Sequence, residues 1–175
     1  MSLTLRPYKP LDAAVITSWL KNEYLMRQWC ADRYEHYPVT PEEMNTYYDR
    51  YIDGQRSRAL TMVDNGDIVG YITLRNPADN PTEQRLGFVI VDDSKRGRGL
   101  GKVLVSIAVK YAFEALGATK VSLGVFENNP AARRCYERLG LTATGKYEVY
   151  HLMGEDWNFH EMEISREKWT GGEQR

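Results

Sequence analysis

Eight consecutive residues, Lys95-Arg96-Gly97-Arg98-Gly99-Leu100-Gly101-Lys102, hold four cations and three glycines, and they sit between a short apolar run and a long helical pattern. Alternate glycines let the backbone turn so that several N–H groups converge on one point. The helix N-terminus behind them adds partial positive charge, and the basic side chains add whole charges. Such a segment is an anion cradle suited to a diphosphate. Two common nucleotide patterns do not fit it. A P-loop needs glycine where Arg96 stands and Ser or Thr where Val103 stands, and the dinucleotide fingerprint needs glycine in place of Lys102.

The flanks restrict the fold further. Leu86 to Val91 is a short β-rich apolar run closed by the turn formers Asp92-Asp93-Ser94, which predicts a buried strand feeding the loop. After the loop, Leu100, Val103, Leu104, Ile107, Ala108, Tyr111, Ala112 and Ala115 recur at helical spacing, ending at Gly117. Another strand is predicted at Lys120 to Val125. It is followed by Asn128-Asn129-Pro130-Ala131-Ala132-Arg133-Arg134-Cys135-Tyr136-Glu137-Arg138-Leu139-Gly140-Leu141.

These two segments resemble the two signatures of the GNAT family of N-acetyltransferases. Arg96, Gly99 and Gly101 match its Arg/Gln-x-x-Gly-x-Gly/Ala loop; Asn129, Ala132, Tyr136, Gly140 and Leu141 match its Asn-x-x-Ala-x-x-x-Tyr segment with a Gly-Leu end. The resemblance implies a single-domain acyl-CoA N-acyltransferase fold of the α/β (mixed α+β) class. That fold is a twisted mixed sheet of about seven strands with flanking helices and a splayed central strand pair, here the strand ending at Val91 and the one at Lys120 to Val125.

The rest of the chain reads consistently with one domain over residues 1–169 and a frayed tail over 170–175. A strand is predicted at Leu3 to Arg6, a helix starting at Pro10-Leu11-Asp12, and a second helix capped by Thr40 and running to about Asp53. Glu23 to Thr40 is aromatic and has no clear period. Asn65-Gly66 predicts a hairpin between Ala59 to Val63 and Ile68 to Leu74, and a final hairpin is predicted from Ala143 to Tyr150 and Trp157 to Ile164. The predicted element order is β α α β β β α β α β β.

Composition excludes more than it selects. A net charge of −1 gives no reason to expect nucleic acid or a membrane surface as a partner. No apolar leader opens the chain and no apolar run reaches the roughly eighteen residues of a membrane helix, so a soluble cytoplasmic protein is expected. Cys30 and Cys135 read as reduced thiols, and His36, His151 and His160 lack ligand spacing, so no metal is expected.

The resemblance carries the chemistry: acetyl-CoA as cosubstrate and a primary amine of a small molecule or peptide N-terminus as acceptor. Pantetheine would pair with the backbone of Val89, Ile90 and Val91. The pyrophosphate would rest on Arg96, Gly97, Arg98, Gly99, Leu100, Gly101 and Lys102, with Arg96 and Arg98 as the main side chains. Asn129 and Ala132 would meet the cofactor, Asn129 being equally suited to cap its helix. Spacing alone makes Tyr136 a core residue, whereas the resemblance makes its hydroxyl the acid that protonates the departing thiolate.

A primary amine with pKa near 10.4 is roughly one part in a few thousand neutral at pH 7, a handicap of about 4–5 kcal/mol unless its proton is removed. Many relatives place a glutamate on the strand before the cradle. Here Arg85 occupies that place, leaving Glu83 as the candidate base, or as a solvated charge at the strand start.

Tyr24, Trp29 and Tyr37 are the candidate acceptor residues, with His36, Trp157, Asp32, Glu35 and Glu148 around them. Asp12 and Trp19-Leu20 before an aromatic stretch resemble the branch that acetylates ribosomal-protein N-termini, spermidine or aminoglycosides. A homodimer is open on the same resemblance. Two rivals stand beside the enzyme: a CoA-binding sensor or scaffold without turnover, and a binder of another phosphate ligand.

Overall fold

A computed structural model describes residues 2–95 and 97–171. The strands are β1 (Leu3–Pro7), β2 (Ser57–Asp64), β3 (Asp67–Arg75), β4 (Glu83–Val91), β5 (Lys120–Phe126), β6 (Thr142–Leu152) and β7 (Glu155–Ser165). The helices are α1 (Ala13–Ser18), α2 (Glu23–Cys30), α3 (Pro41–Tyr51), α4 (Leu100–Glu114) and α5 (Pro130–Arg138). One seven-stranded sheet runs in the order β1-β2-β3-β4-β5-β7-β6. Every neighbouring pair is antiparallel except β4 and β5. The mixed class and the expected sheet are therefore present. Arg96 and residues 172–175 of the expected tail lie outside the described residues.

Two layers cover the sheet. Helix α4 buries Leu104, Val105, Ala108, Val109, Ala112 and Phe113 against Ile72, Leu74, Val121 and Leu123 in the larger core. On the other face, α1 to α3 bury Ile16, Met26, Trp29 and Met44 around Tyr8 and Tyr71. Asp12 pins this layer to the sheet: it takes two hydrogen bonds from Arg6 and one each from the Lys9 N–H and the Thr61 hydroxyl.

One helix beyond the predicted order appears, α2. Its N-cap is ordinary, Asn22 accepting from the Leu25 N–H at 2.8 Å. The period is obscured because Arg27 lies on the buried face with Met26, Trp29 and Cys30. Its guanidinium donates to the carbonyls of Ala31, Tyr34 and Glu35, so that one buried charge closes the loop after the helix.

Candidate active site

Strands β4 and β5 pair at only three positions, Glu83 with Lys120, Gln84 with Val121 and Arg85 with Ser122. Beyond Arg85 they part. The divergence coincides with an irregularity on the other edge of β4, where Tyr71 pairs with Ile90 but Thr73 with Gly87, leaving one extra residue in β4. Phe88 within it adopts φ 50°, the left-handed region. Its carbonyl accepts from the Trp29 indole at 2.9 Å, which fixes the bulge from the helical layer.

The gap opens a cleft of about 1530 Å³ lined by Gly87 to Val91 on one side and by Leu123, Gly124, Val125, Ala132, Cys135 and Tyr136 on the other. A second recess of about 430 Å³ shares Val89, Ile90, Val91, Gly101 and Asn129 with it and continues to Gly97, Gly99 and Leu100. The β4 residues expected to meet pantetheine thus border both recesses. Past Arg85 the edge of β4 that faces β5 has no ladder partner, so its amides are open to a chain of amides.

At the glycine loop, Gly99 is the N-cap of α4 with φ 69°, and Gly97 has φ 79°. The first helical bond runs from the Val103 N–H to the Gly99 carbonyl, so the N–H groups of Leu100, Gly101 and Lys102 precede it and are free for an anion. Gly101 is the informative glycine. It has no left-handed φ, and a Cβ there would meet nothing within 4 Å. The fold does not require glycine at that helical position, and a small residue there leaves the backbone N–H groups open to a diphosphate lying against them.

The side chains of the loop divide differently from expectation. Arg98 donates to Asp64 at 2.9 Å and Lys95 lies 3.7 Å from Asp67, so both are drawn to the β2–β3 hairpin. Leu100 is buried in the core, which leaves only its backbone for a ligand, while Lys102 is exposed. Asn129 caps α5, accepting from the Ala132 N–H at 3.3 Å.

Tyr136 is buried, lines the cleft, and has no hydrogen-bond partner among the described residues. Burial, and secondarily the neighbouring Cys135, raises its pKa well above the ordinary tyrosine value, so the hydroxyl keeps its proton. Burial also pushes the Cys135 thiol up, away from the thiolate that a covalent route needs, and takes Cys30 to about 11.

Three of the expected site residues have partners of their own. Glu83 lines the cleft, and its carboxylate accepts from Ser122 at 2.5 Å and from Asn80 at 3.2 Å, with Lys120 at 3.4 Å. It lies on the stretch of β4 that still pairs with β5, as does Arg85, which is ion-paired with Glu161. Tyr24 and Tyr37 line neither recess. Tyr24 packs on Trp157 at 5.2 Å between ring centroids, and the Tyr37 hydroxyl donates to the Leu20 carbonyl. Trp29 does line the cleft.

Of the surrounding candidates, Glu148 lines the cleft, while His36 reaches Glu43 at 3.2 Å. The sequence reading missed Arg33, Tyr47, Arg75, Tyr150 and Phe159 of the lining. Alternation along β3 was the available signal for Arg75, in phase with Tyr71 and Thr73 and opposite to the core residues Ile72 and Leu74.

A parted parallel strand pair, an unpaired amide edge and a glycine-bracketed helix N-terminus define an acyl-CoA-dependent acyltransferase. The chain matches the acetyltransferase (GNAT) domain model over residues 2–142 and belongs to that family; it is an acetyl-CoA-dependent N-acetyltransferase. It is 27% identical over 146 residues to the spermidine N(1)-acetyltransferase of Escherichia coli (strain K12), covering 83% of this chain and 75% of that protein. It is 24% identical over 154 residues to the aminoglycoside N(6')-acetyltransferase type 1 of Klebsiella pneumoniae, covering 82% and 76%. Its fold superposes with a TM-score of 0.80 on spermidine N-acetyltransferase from Vibrio cholerae in complex with CoA and spermine, at 24% identity over 95% of this chain and 96% of that one. Among the described residues no helix is long and apolar enough to cross a membrane, and no cluster of His, Cys, Asp or Glu could hold a metal ion.

Proposed function

We propose that the protein passes the acetyl group of acetyl-CoA directly to a primary amine of a small molecule, with Tyr136 giving a proton to the departing thiolate. The observation that carries this reading is the parting of β4 from β5 beyond Arg85, with Tyr136 on the wall of the gap. The relatives are named for spermidine and for an aminoglycoside, both small-molecule amines.

The cosubstrate supplies the activated thioester. The open amides of Val89 to Val91 hold its amide chain, and the N–H groups from Gly97 to Lys102 hold its diphosphate; Arg98 serves the loop by anchoring it to Asp64. Asn129 orients α5 and hence Tyr136. The protonated hydroxyl of Tyr136 stands ready where negative charge develops on sulfur. With Glu83 bound by Ser122, Asn80 and Lys120, the proton of the acceptor leaves through water in the open cleft. The raised pKa of Cys135 supports direct attack over an acyl-enzyme.

The test is release of free thiol from acetyl-CoA in the presence of polyamines, aminoglycosides, amino acids and short peptides. Release above the acceptor-free rate with one class is expected. Silence across the panel, with acetyl-CoA binding shown by calorimetry, would overturn the transfer reading and leave a CoA-binding protein.

A further inference from the structure

Past Arg85 no ladder holds β4 to β5, and on the face covered by α1 to α3 the helix α2 bridges the gap. Two consecutive residues of that helix reach opposite lips. The Trp29 indole donates to the Phe88 carbonyl of β4 at 2.9 Å, and its ring packs edge-on against the Phe88 ring at 5.1 Å. The Gln28 amide donates to the carbonyl of Asn128 at 3.1 Å and to its side-chain oxygen at 3.2 Å, across 100 residues of sequence. Asn128 belongs to the turn after β5, directly before the cap residue of α5. Apolar contacts back this second grip: Ala31, directly after α2, packs with Phe126, Leu152 and Trp157.

Of α2, only Gln28 and Trp29 border both recesses, together with Val89 to Val91, Gly101 and Asn129. These shared residues form the neck between the glycine loop and the wall that carries Tyr136. A cosubstrate with its diphosphate on the loop and its thioester beside Tyr136 runs through that neck, and the Gln28–Asn128 bond spans it from α2 to the α5 side. A ligand held at both ends cannot be exchanged sideways while the neck is bridged.

We infer that Gln28 is a positioning residue whose bond to Asn128 straps the neck over the amide chain of the cosubstrate, and that this strap opens each time the cosubstrate is exchanged. This rests on the reading above that acetyl-CoA lies along β4 with its diphosphate on the glycine loop. The donor and both acceptors of the strap belong to the protein, so it closes with and without the cosubstrate, and its loss destabilises the closed neck equally in both states. Binding and release then speed up together, while their ratio, the affinity, is conserved. A side chain that only touches the bound cosubstrate behaves differently, since its loss raises the release rate alone.

Stopped-flow tryptophan fluorescence, with Trp29 in the neck as a source of signal, follows acetyl-CoA binding to wild type, Gln28→Ala and Gln28→Leu. The slope and intercept of the observed rate against concentration give the association and release rates, and calorimetry gives the affinity independently. Leucine keeps the bulk of the side chain without its donor. Both rates are expected to rise about fivefold in each variant, the factor for one neutral hydrogen bond, with affinity within about twofold of wild type. Both substitutions place good helix formers at a half-buried position, so the melting temperature should move little. Faster release alone, faster association alone or unchanged rates would overturn the strap, as would a rise confined to Gln28→Ala, which would make bulk rather than the hydrogen bond the barrier. Those outcomes leave the transfer reading standing. Absence of acetyl-CoA binding by wild type would overturn that reading and the strap with it, whereas the paired rise in a protein silent toward every amine would overturn transfer and leave the strap.

Discussion

Arg85 and Glu161 meet across β5, from β4 on one side to β7 on the other, at the last residue where β4 still pairs with β5. Two guanidinium nitrogens reach two carboxylate oxygens, the outer contact at 3.0 Å. The pair sits where the sheet changes from closed to open and ties the strands on either side of β5 together. Glu161→Gln removes the charge partner while keeping the shape, leaving Arg85 facing its cross-strand neighbour Arg75 without its ion-pair partner. A loss of about 1–2 kcal/mol in stability is expected for this partly buried, two-pronged pair. Arg85→Gln in the same background should restore part of it, which a thermal-melt double-mutant cycle will show.

On the proposed reading, Tyr136 and the leaving thiolate would share one buried wall of the cleft. Burial raises the pKa of the phenol, keeping it protonated through the neutral range, and the same burial makes a thiolate formed beside it a stronger base. Tyr136→Phe should lower kcat by about 10- to 100-fold while acetyl-CoA affinity stays within about twofold. Because the group does not ionise near neutrality, the alkaline limb of the rate profile should keep its position in the variant. Steady-state kinetics against pH, with calorimetric binding beside them, check both statements.

The glycine loop before α4 was legible because its signal is local: glycines and cations crowd into a few residues directly before a helix. Helix α2 was not, because the charge of Arg27 on its buried face breaks the apolar period, and only the folded loop shows the three carbonyls that satisfy it. Positive φ at Phe88 has no signature in the sequence, since bulky residues rarely adopt it and here Trp29 enforces it from another layer. The diversion of Arg98 to Asp64, 34 residues away in sequence, likewise depends on a hairpin whose position no local pattern specifies. Parting of the central strands was reached through the resemblance to a family rather than through any property of the two strands themselves. The partners of Glu83 were not legible either, because a strand-start carboxylate looks the same whether water or a serine, an asparagine and a lysine surround it.

Gly101 separates fold from ligand. In the first turn of α4, alanine lowers the entropy of the unfolded chain and improves helix propensity, and the open space around the missing Cβ means nothing must move. Gly101→Ala should therefore gain roughly 0.5–1 kcal/mol of stability. The family loop takes glycine or alanine at this position, so this methyl group is expected to leave acetyl-CoA affinity within about threefold, whereas the branched side chain of Gly101→Val would stand against the backbone where a diphosphate approaches and lower affinity tenfold or more. A higher melting temperature with unchanged calorimetric binding for Gly101→Ala, and weaker binding for Gly101→Val, is the expected set of results. Undiminished affinity in Gly101→Val would remove the argument that the loop cradles the cosubstrate.

Stability should be bounded by Asp12 in acid and by buried tyrosines in base. Desolvation alone would raise the Asp12 pKa, but hydrogen bonds from Arg6, the Lys9 N–H and Thr61, together with the Arg6 charge, outweigh it and hold the carboxyl below its ordinary value. A depressed carboxyl contributes stability that is complete above its unfolded pKa of about 3.9 and is lost as pH falls through the lower, folded value. The tyrosines run the other way. Burial raises Tyr8, Tyr34 and Tyr136, so their contribution is complete below about pH 10 and is lost as pH rises through their higher folded values. Asp12→Asn strands the Arg6 guanidinium and weakens its bonds to the sheet, at an expected cost of about 2 kcal/mol at neutral pH. It also removes a titrating group, so its melting temperature should fall less steeply than that of wild type below pH 4 while the alkaline fall above pH 10 stays the same. Melting curves of both proteins from pH 3 to 11 make the comparison, and parallel acid limbs would show that other carboxyls, not Asp12, set the acid boundary.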